Sequence, residues 1–415
     1  MNIAIISYHT CPLATLGGKD TGGMNVYVRD LTRYLGQFGI HADVFTRSQD
    51  EHVPHVLHDL GCGNRVVHIP AGPETPQPKK ELEGYIDLFV ENILNFAAKK
   101  HNHYDLIFSH YWLSGLAALK LKRAWKIPVI HMFHTLALLK NKIARSEKDI
   151  DGEYRIIGEK KVLSEIDRLI VSTTDEKDNL QTLYSAPLDI IEIIPPGVDT
   201  THFYPIPADE AKEFVGIPEN EKMILFVGRI EPLKGIDTLL KAISQLQQGD
   251  ILQECPHYLY IIGGEPDPGQ KKINEEMQHL QDLCSELGLG DLVLFLGKRN
   301  QDSLQYYYSA AEMLVMPSNY ESFGMVALES MACGTPVIAT QVGGLQHLVQ
   351  DQETGFTIPN DNPDALEEKI TVLICNSELK EKMSQNSISY AQSFSWNTIT
   401  KKLIETFEKT IEVFQ

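Results

Sequence analysis

Short apolar runs alternate along this chain with longer stretches whose apolar positions recur at helical spacing. Met1–Ser7 reads as a buried strand and Gly17–Gly23 as a glycine-rich loop. Val26–Leu35 reads as an amphipathic helix stopped near Gly39, and His41–Thr46 as the next strand. The alternation continues with strands at Leu106–Ser109, Val129–Met132 and Leu169–Ser172, and with helices at Gly115–Trp125 and Tyr154–Ile166. Ile193–Asp199, running on to Tyr204-Pro205, is dense in Pro and Gly and reads as a linker between domains. Beyond it the rhythm restarts. Strands are expected at Met223–Gly228, Tyr258–Gly263, Leu292–Leu296, Met313–Met316 and Val337–Thr340, with a helix at Gly235–Leu246. Strand–helix alternation of this kind builds parallel sheets covered on both faces. Two such domains of similar size predict a ligand cleft between them, outside the carboxyl ends of the strands. Trp396–Phe414 reads as a closing helix, charged on one face.

Glu321-Ser-Phe-Gly-Met-Val-Ala-Leu-Glu329 breaks the rhythm with two carboxylates bracketing a glycine-containing turn. A loop, a helix start and a stop after Cys333 predict a helix of about three turns. Its free N–H groups would face an anionic or hydroxyl-rich ligand. If the whole segment were helical, eight residues would hold the carboxylate bases roughly 12 Å apart. Hydrolytic carboxyl pairs sit at about 5–10 Å. Sugar and ribose binding by the two acids fits better, with an ordinary pair of solvated helix acids as the plain alternative.

Composition narrows the classes. The chain has 415 residues, 43 % of them hydrophobic, which suits two or more domains with real cores. A formal net charge of −19 argues against nucleic-acid binding. The six cysteines (Cys11, Cys62, Cys255, Cys284, Cys333, Cys375) are scattered, so a disulfide framework and structural zinc are not expected. No membrane span and no signal segment are expected, which points to the cytoplasm.

Three further loops carry candidate chemistry. Gly22-Gly23 closes the loop between the first strand and first helix, without the spacing of a dinucleotide or P-loop fingerprint. Gly228-Arg-Ile-Glu-Pro-Leu-Lys-Gly235 puts Arg229 and Lys234 beyond the end of a strand, where two cations suit a diphosphate. Lys298-Arg299 follows another strand. His131 and His134 lie at a strand end without metal-ligand spacing, and His134-Thr135 reads as a polar tip aimed at the cleft.

Together these motifs resemble the retaining family 4 (group 1) glycosyltransferases, in the branch of inositol-phosphate N-acetylglucosaminyltransferases and sucrose-phosphate synthases. The resemblance spans nearly the whole chain. It is carried by Glu321 and Glu329, by Gly228-Arg229 with Lys234, by Gly22-Gly23-Met24-Asn25, by Ser109–Gly115 and by His134-Thr135-Leu136 with Lys140-Asn141. It implies a GT-B fold. Residues 1–195 with helix 393–415 would bind the acceptor, and residues 196–392 the nucleotide sugar. The implied catalytic set is His134, Arg229, Lys234 and Glu321. The donor would meet Gly23, Arg299, Ser322, Phe323, Gly324, Met325 and Val326, with Glu329 on the ribose. The acceptor would meet Asn25, Lys80 (or Lys79), Tyr111, Thr135 and Arg155.

The expected reaction moves a hexosyl unit from UDP-glucose or UDP-N-acetylglucosamine to a small phosphorylated acceptor such as inositol phosphate, with retention. No cofactor or metal is expected beyond the sugar nucleotide, and domain closure would exclude water. Fructose 6-phosphate or an unphosphorylated glycan stays open as acceptor, and a homodimer stays open as assembly. A glycoside hydrolase or phosphorylase would use Glu321 and Glu329; hydrolysis would need them as a close carboxyl pair with no diphosphate cations, and a phosphorylase would commonly carry a pyridoxal-phosphate lysine. A periplasmic-type sugar-binding protein would need an export signal.

Overall fold

The computed structural model describes residues 1–14, 21–144, 150–249, 256–264 and 275–414. The expected loop residues Gly17–Asp20 and Cys255 lie outside them. The chain forms two compact units, one of described residues 1–14, 21–197 and 396–414, the other of 198–395. Gly197 lies against the Trp396 indole, and the Val198 N–H donates to the Phe394 carbonyl, so the two crossing segments run side by side.

In the first unit β1 (Asn2–Ile6), β2 (His41–Arg47), β3 (Val56–Leu57), β4 (Arg65–Ile69), β5 (Leu106–His110), β6 (Val129–Met132), β7 (Arg168–Val171) and β8 (Ile191–Ile193) form one sheet. The order is β3-β4-β2-β1-β5-β6-β7-β8, parallel except for β3. Successive side chains of a strand face opposite ways. Ile3 and Ile5 join the cluster of Tyr27, Leu31, Leu35 and Phe108, whereas Ala4 and Ile6 join Phe89, Leu113, Ala117 and Val129. Burial on both faces explains why these strands read as continuous apolar runs. The helix Trp396–Phe414 belongs to this unit. Its Trp396, Ile399, Leu403 and Phe407, at helical spacing, pack into the first of those clusters beside the helix Gly23–Gln37.

The second unit holds β9 (Lys222–Val227), β10 (His257–Ile262), β11 (Val293–Gly297), β12 (Met313–Met316), β13 (Val337–Thr340) and β14 (Gly355–Ile358) in the order β11-β10-β9-β12-β13-β14, all parallel. Ile224 and Phe226 serve one core, and Met223, Leu225 and Val227 the other. In each sheet the winding reverses beside its first strand: between β1 and β5, and between β9 and β12. These reversals are where doubly wound sheets bind ligands.

The structure corrects several expectations. The helix after Gly324 is Met325–Ala332, eight residues and little more than two turns, because Cys333-Gly334 already leaves the helix. Glu321 therefore lies outside it, and the 12 Å spacing along one helix does not apply. The helix expected from Gly115 starts at Trp112, and Ile193, read as linker, ends β8. Strands β3, β4, β8 and β14 have no counterpart in the pattern reading; each is short or interrupted by polar residues.

Candidate functional site

In the second unit the chain after β9 carries Arg229 and a one-turn 3-10 helix, Pro232–Lys234. Gly235 follows at φ 63°, and a Cβ there would lie 2.0 Å from the Pro317 carbonyl oxygen, so only glycine lets the β9 and β12 loops meet. The Asn319 N–H donates to the Leu233 carbonyl at 2.8 Å and its amide to the Pro232 carbonyl at 3.0 Å. This stitching brings Lys234 Nζ to 2.5 Å from Glu321 Oε2, with both side chains largely covered. Arg229 pairs with Glu231 at 2.7 Å and stays more open. Lys234 and Glu321, 87 residues apart, thus meet at the reversal point of the sheet.

The rest of the acidic motif is built from below. The Gly344 N–H donates to the Glu321 carbonyl at 3.0 Å. Phe323 is buried, Ser322 is partly covered, and Gly324 sits at φ 107° as the N-terminal cap. The first N–H groups of the helix, at Met325 and Val326, have no partner earlier in their own helix. Glu329 is buried, and its Oε2 accepts from the Tyr308 hydroxyl at 2.8 Å. Burial and this carboxylate hold the Tyr308 phenol well above its ordinary pKa. Arg299 donates to the Tyr307 hydroxyl and to the carbonyls of Leu296 and Lys298, bracing the end of β11.

In the first unit the strand ends hold a second cluster. Tyr111, directly after β5, adopts φ 74° and ψ 150°, and His134, beyond β6, adopts φ 61°. Both conformations are unfavourable for side-chain-bearing residues and collect at functional sites. The Arg155 guanidinium lies 5.0 Å and the Lys79 ammonium 5.7 Å over the Tyr111 ring, and the His9 ring packs beside it at 4.4 Å. Arg155 donates to Glu159 at 2.8 Å, to Asp151 at 2.8 Å, and to the Thr135 carbonyl and hydroxyl at 2.9 and 3.0 Å. Lys140 joins Asp151 at 3.1 Å. Tyr111, Thr135 and Arg155 therefore meet as expected residues of one cluster, although the guanidinium is already engaged inside the unit.

Of the two adjacent lysines, the one over Tyr111 is Lys79. Lys80 is exposed on the same short helix, Lys79–Leu82, and neighbouring helical residues point about 100° apart. Asn25 is buried and committed: it accepts from the Gly22 N–H and donates to Thr10 Oγ1 and to the Cys11 carbonyl. It clamps the loop after β1 to the start at Gly23 of the first helix.

His134 Nε2 and His110 Nδ1 are 3.0 Å apart, and Tyr27 stands edge-on to the His134 ring. Burial lowers the His134 pKa to about 3 and lowers His110 well below the ordinary histidine value. Both rings are neutral, one donating its N–H to the other. His131 is likewise lowered to about 3 by burial and is paired with Ser109. His9 is lowered by burial and by Lys79, and its Nδ1 has no partner among the described residues. His9, His110 and Tyr27 escaped the sequence reading because each sits within or beside an apolar run; His110 ends β5 and His9 follows β1, whereas Tyr27 lies inside the helix Gly23–Gln37.

Two wound parallel sheets, each with polar and charged loops at its reversal point, define an α/β enzyme of the GT-B glycosyltransferase class. Residues 21–202 match the model of Glycosyltransferase Family 4, and residues 207–390 that of Glycosyl transferases group 1. The chain belongs to this glycosyltransferase family. It is 36 % identical over 414 residues to the D-inositol 3-phosphate glycosyltransferase of Saccharomonospora viridis, spanning 100 % of this chain and 95 % of that one. The sucrose-phosphate synthase of Thermosynechococcus elongatus superposes with a TM-score of 0.89 at 33 % identity, covering 99 % of each chain. Anabaena HepE in complex with UDP and glucose has the same fold, with a TM-score of 0.75 at 18 % identity over 99 % of this chain and 100 % of its own. No helix among the described residues is long and apolar enough to cross a membrane.

Proposed function

We propose that this glycosyltransferase transfers a hexosyl unit, with retention, from UDP-glucose or UDP-N-acetylglucosamine to a hydroxyl of a small phosphorylated acceptor, inositol phosphate foremost. The observation that carries the donor half is the Lys234–Glu321 contact at the reversal of the second sheet, with Arg229 on the same loop. In this reading Lys234 and Arg229 hold the diphosphate and neutralise its charge as it leaves, a contribution of about 3–4 kcal/mol for a well-placed donor. Glu321, with the backbone of Ser322–Val326, takes the sugar hydroxyls, and Glu329 the ribose. The leaving diphosphate receives the acceptor proton, and neutral His134 offers the reacting sugar a hydrogen-bonding ring. Arg229 and Lys234 do the charge neutralisation, so no metal is required.

The acceptor half rests on the cluster of Lys79, Tyr111, Thr135 and Arg155, whose cations and hydroxyls suit phosphate oxygens. The likeness to sucrose-phosphate synthase favours a second reading with fructose 6-phosphate as acceptor. Thermal-shift screening with UDP, GDP and ADP, then initial rates with inositol 3-phosphate, fructose 6-phosphate and their unphosphorylated parents, tests the scheme. UDP should stabilise most, and one phosphate ester should far outpace its parent. Equal rates for ester and parent would overturn the phospho-acceptor reading.

A further inference from the structure

Glu159 lies one helical turn beyond Arg155 on the helix Glu153–Glu165 and is completely buried. Its Oε1 accepts from Arg155 Nε at 2.8 Å, and both of its oxygens stand 3.1 Å from the Ala137 N–H. Its Oε2 accepts from the Tyr184 hydroxyl, whose oxygen in turn accepts from the Leu138 N–H at 3.1 Å. Ala137 and Leu138 are the first two residues of the helix Ala137–Lys142, whose own cap residue, Leu136, has no side chain able to satisfy them. A carboxylate from 22 residues away and a phenol from 46 residues away therefore cap this helix. The cap fixes the end of the turn that begins with the strained His134 and continues through Thr135. The same carboxylate sets the Arg155 guanidinium, which donates back to the Thr135 carbonyl and hydroxyl.

We propose that Glu159, with Tyr184, is the positioning residue of acceptor recognition: it locks Arg155 and the His134–Thr135 turn into one rigid unit before the acceptor arrives. The inference rests on the acceptor reading above. Buried carboxylates that orient a guanidinium act through geometry, and small displacements at such groups carry large kinetic costs. Glu159→Gln keeps the volume. It loses the charge opposite Arg155 and turns an amide NH2 toward groups that also donate.

The test compares wild type, Glu159→Gln, Tyr184→Phe and Arg155→Ala, with inositol 3-phosphate and fructose 6-phosphate as acceptors at saturating UDP-sugar. Glu159→Gln should raise the acceptor KM tenfold or more and leave the UDP-sugar KM within twofold. Tyr184→Phe should raise the acceptor KM less, two- to fivefold. Amide exchange of the peptide covering residues 136–142 should speed up in both. A purely structural Glu159 would lower kcat through loss of folded enzyme and leave both KM values alone; that result, or unchanged exchange in the helix, overturns the proposal. If Glu159→Gln does not fold, an unchanged acceptor KM in Tyr184→Phe overturns it instead. Arg155→Ala separates the two layers. If it raises the acceptor KM while Glu159→Gln and Tyr184→Phe do not, positioning fails alone. If Arg155→Ala itself leaves the acceptor KM unchanged, or wild type uses neither ester, the acceptor reading falls and the positioning role falls with it.

Discussion

Removing the Lys234 ammonium should separate catalysis from folding, because the two costs differ in size. A well-aimed charge on a developing anion contributes about 2.7–4 kcal/mol, or roughly a hundred- to a thousandfold in turnover. The stability cost comes from the broken pair with Glu321, whose side chains are 16 % and 17 % exposed. Exposed pairs are worth about 0–1 kcal/mol, and breaking fully buried ones costs about 3–5. Glu321 keeps some access to water, so roughly 1–2 kcal/mol is expected. For a unit of about 200 residues that is a fall in Tm of roughly 2–8 °C. Lys234→Ala should therefore stay folded at assay temperature and lose at least a hundredfold in kcat/KM, read by UDP release. Glu321→Gln makes the counter-test: it leaves the ammonium without its carboxylate, so UDP affinity should hold or rise while turnover falls. Near-wild-type turnover in Lys234→Ala, or loss of UDP binding in Glu321→Gln, would refute the division of roles.

Chelation with EDTA should leave most of the activity; complete loss restored by magnesium would reveal a metal requirement. His131 and His134, each lowered to about 3 by burial, accept a proton near pH 6.5 in the unfolded chain but not in the fold. Stability present above pH 6.5 is therefore lost as the pH falls toward 3, by about 1.4 kcal/mol per histidine per pH unit. Melting at pH 7.5 and 5.5 checks this, and equal Tm values would contradict it. Gly197→Ala would set a Cβ 2.5 Å from the Trp396 indole, so overpacking should cost about 1–3 kcal/mol in thermal or urea unfolding. Tyr308→Phe removes the donor to buried Glu329, and UDP should bind more weakly by calorimetry; unchanged affinity would detach Glu329 from the ribose.

What could be read from the sequence was whatever depends on neighbours along the chain. Strands buried on both faces, such as Met223–Val227, advertise themselves as apolar runs, and loops such as Gly228–Gly235 declare their charges. What depends on distant partners stayed dark. Nothing local pairs Lys234 with Glu321, because the contact needs β9 and β12 to be adjacent, and only the winding of the sheet makes them so. Lys79 and Lys80 are indistinguishable in a string, and the rotation of a four-residue helix separates them. Glu159 reads as one acid in a charged helix until the fold carries the N–H groups of another helix onto it. Strand β14 begins at Gly355, a residue that speaks against a strand in any propensity argument; glycine is needed there because a Cβ would lie 1.9 Å from the Val337 carbonyl oxygen of the neighbouring strand.

Four cations of the two clusters share one feature: each is held by an internal carboxylate. Lys234 has Glu321, Arg229 has Glu231, and Arg155 and Lys140 share Asp151. An unpaired cation in a partly dry site would be costly and free to wander. The internal acid keeps it charged and aimed, at the expense of a contact that an incoming ligand must replace. A mono-anion or a neutral sugar cannot replace a carboxylate profitably. A diphosphate or a phosphate ester, with more oxygens and more charge, can. In a chain of net charge −19 such pairs would select for strong anions by competition, and under the phospho-acceptor proposal the same competition would leave the unphosphorylated acceptor a poor substrate. Asp151→Asn weakens the competitor without touching the guanidinium, so the acceptor KM should fall while the preference for the phosphate ester over its parent narrows. A variant that binds the ester more weakly would show that Asp151 orients Arg155 instead of guarding it.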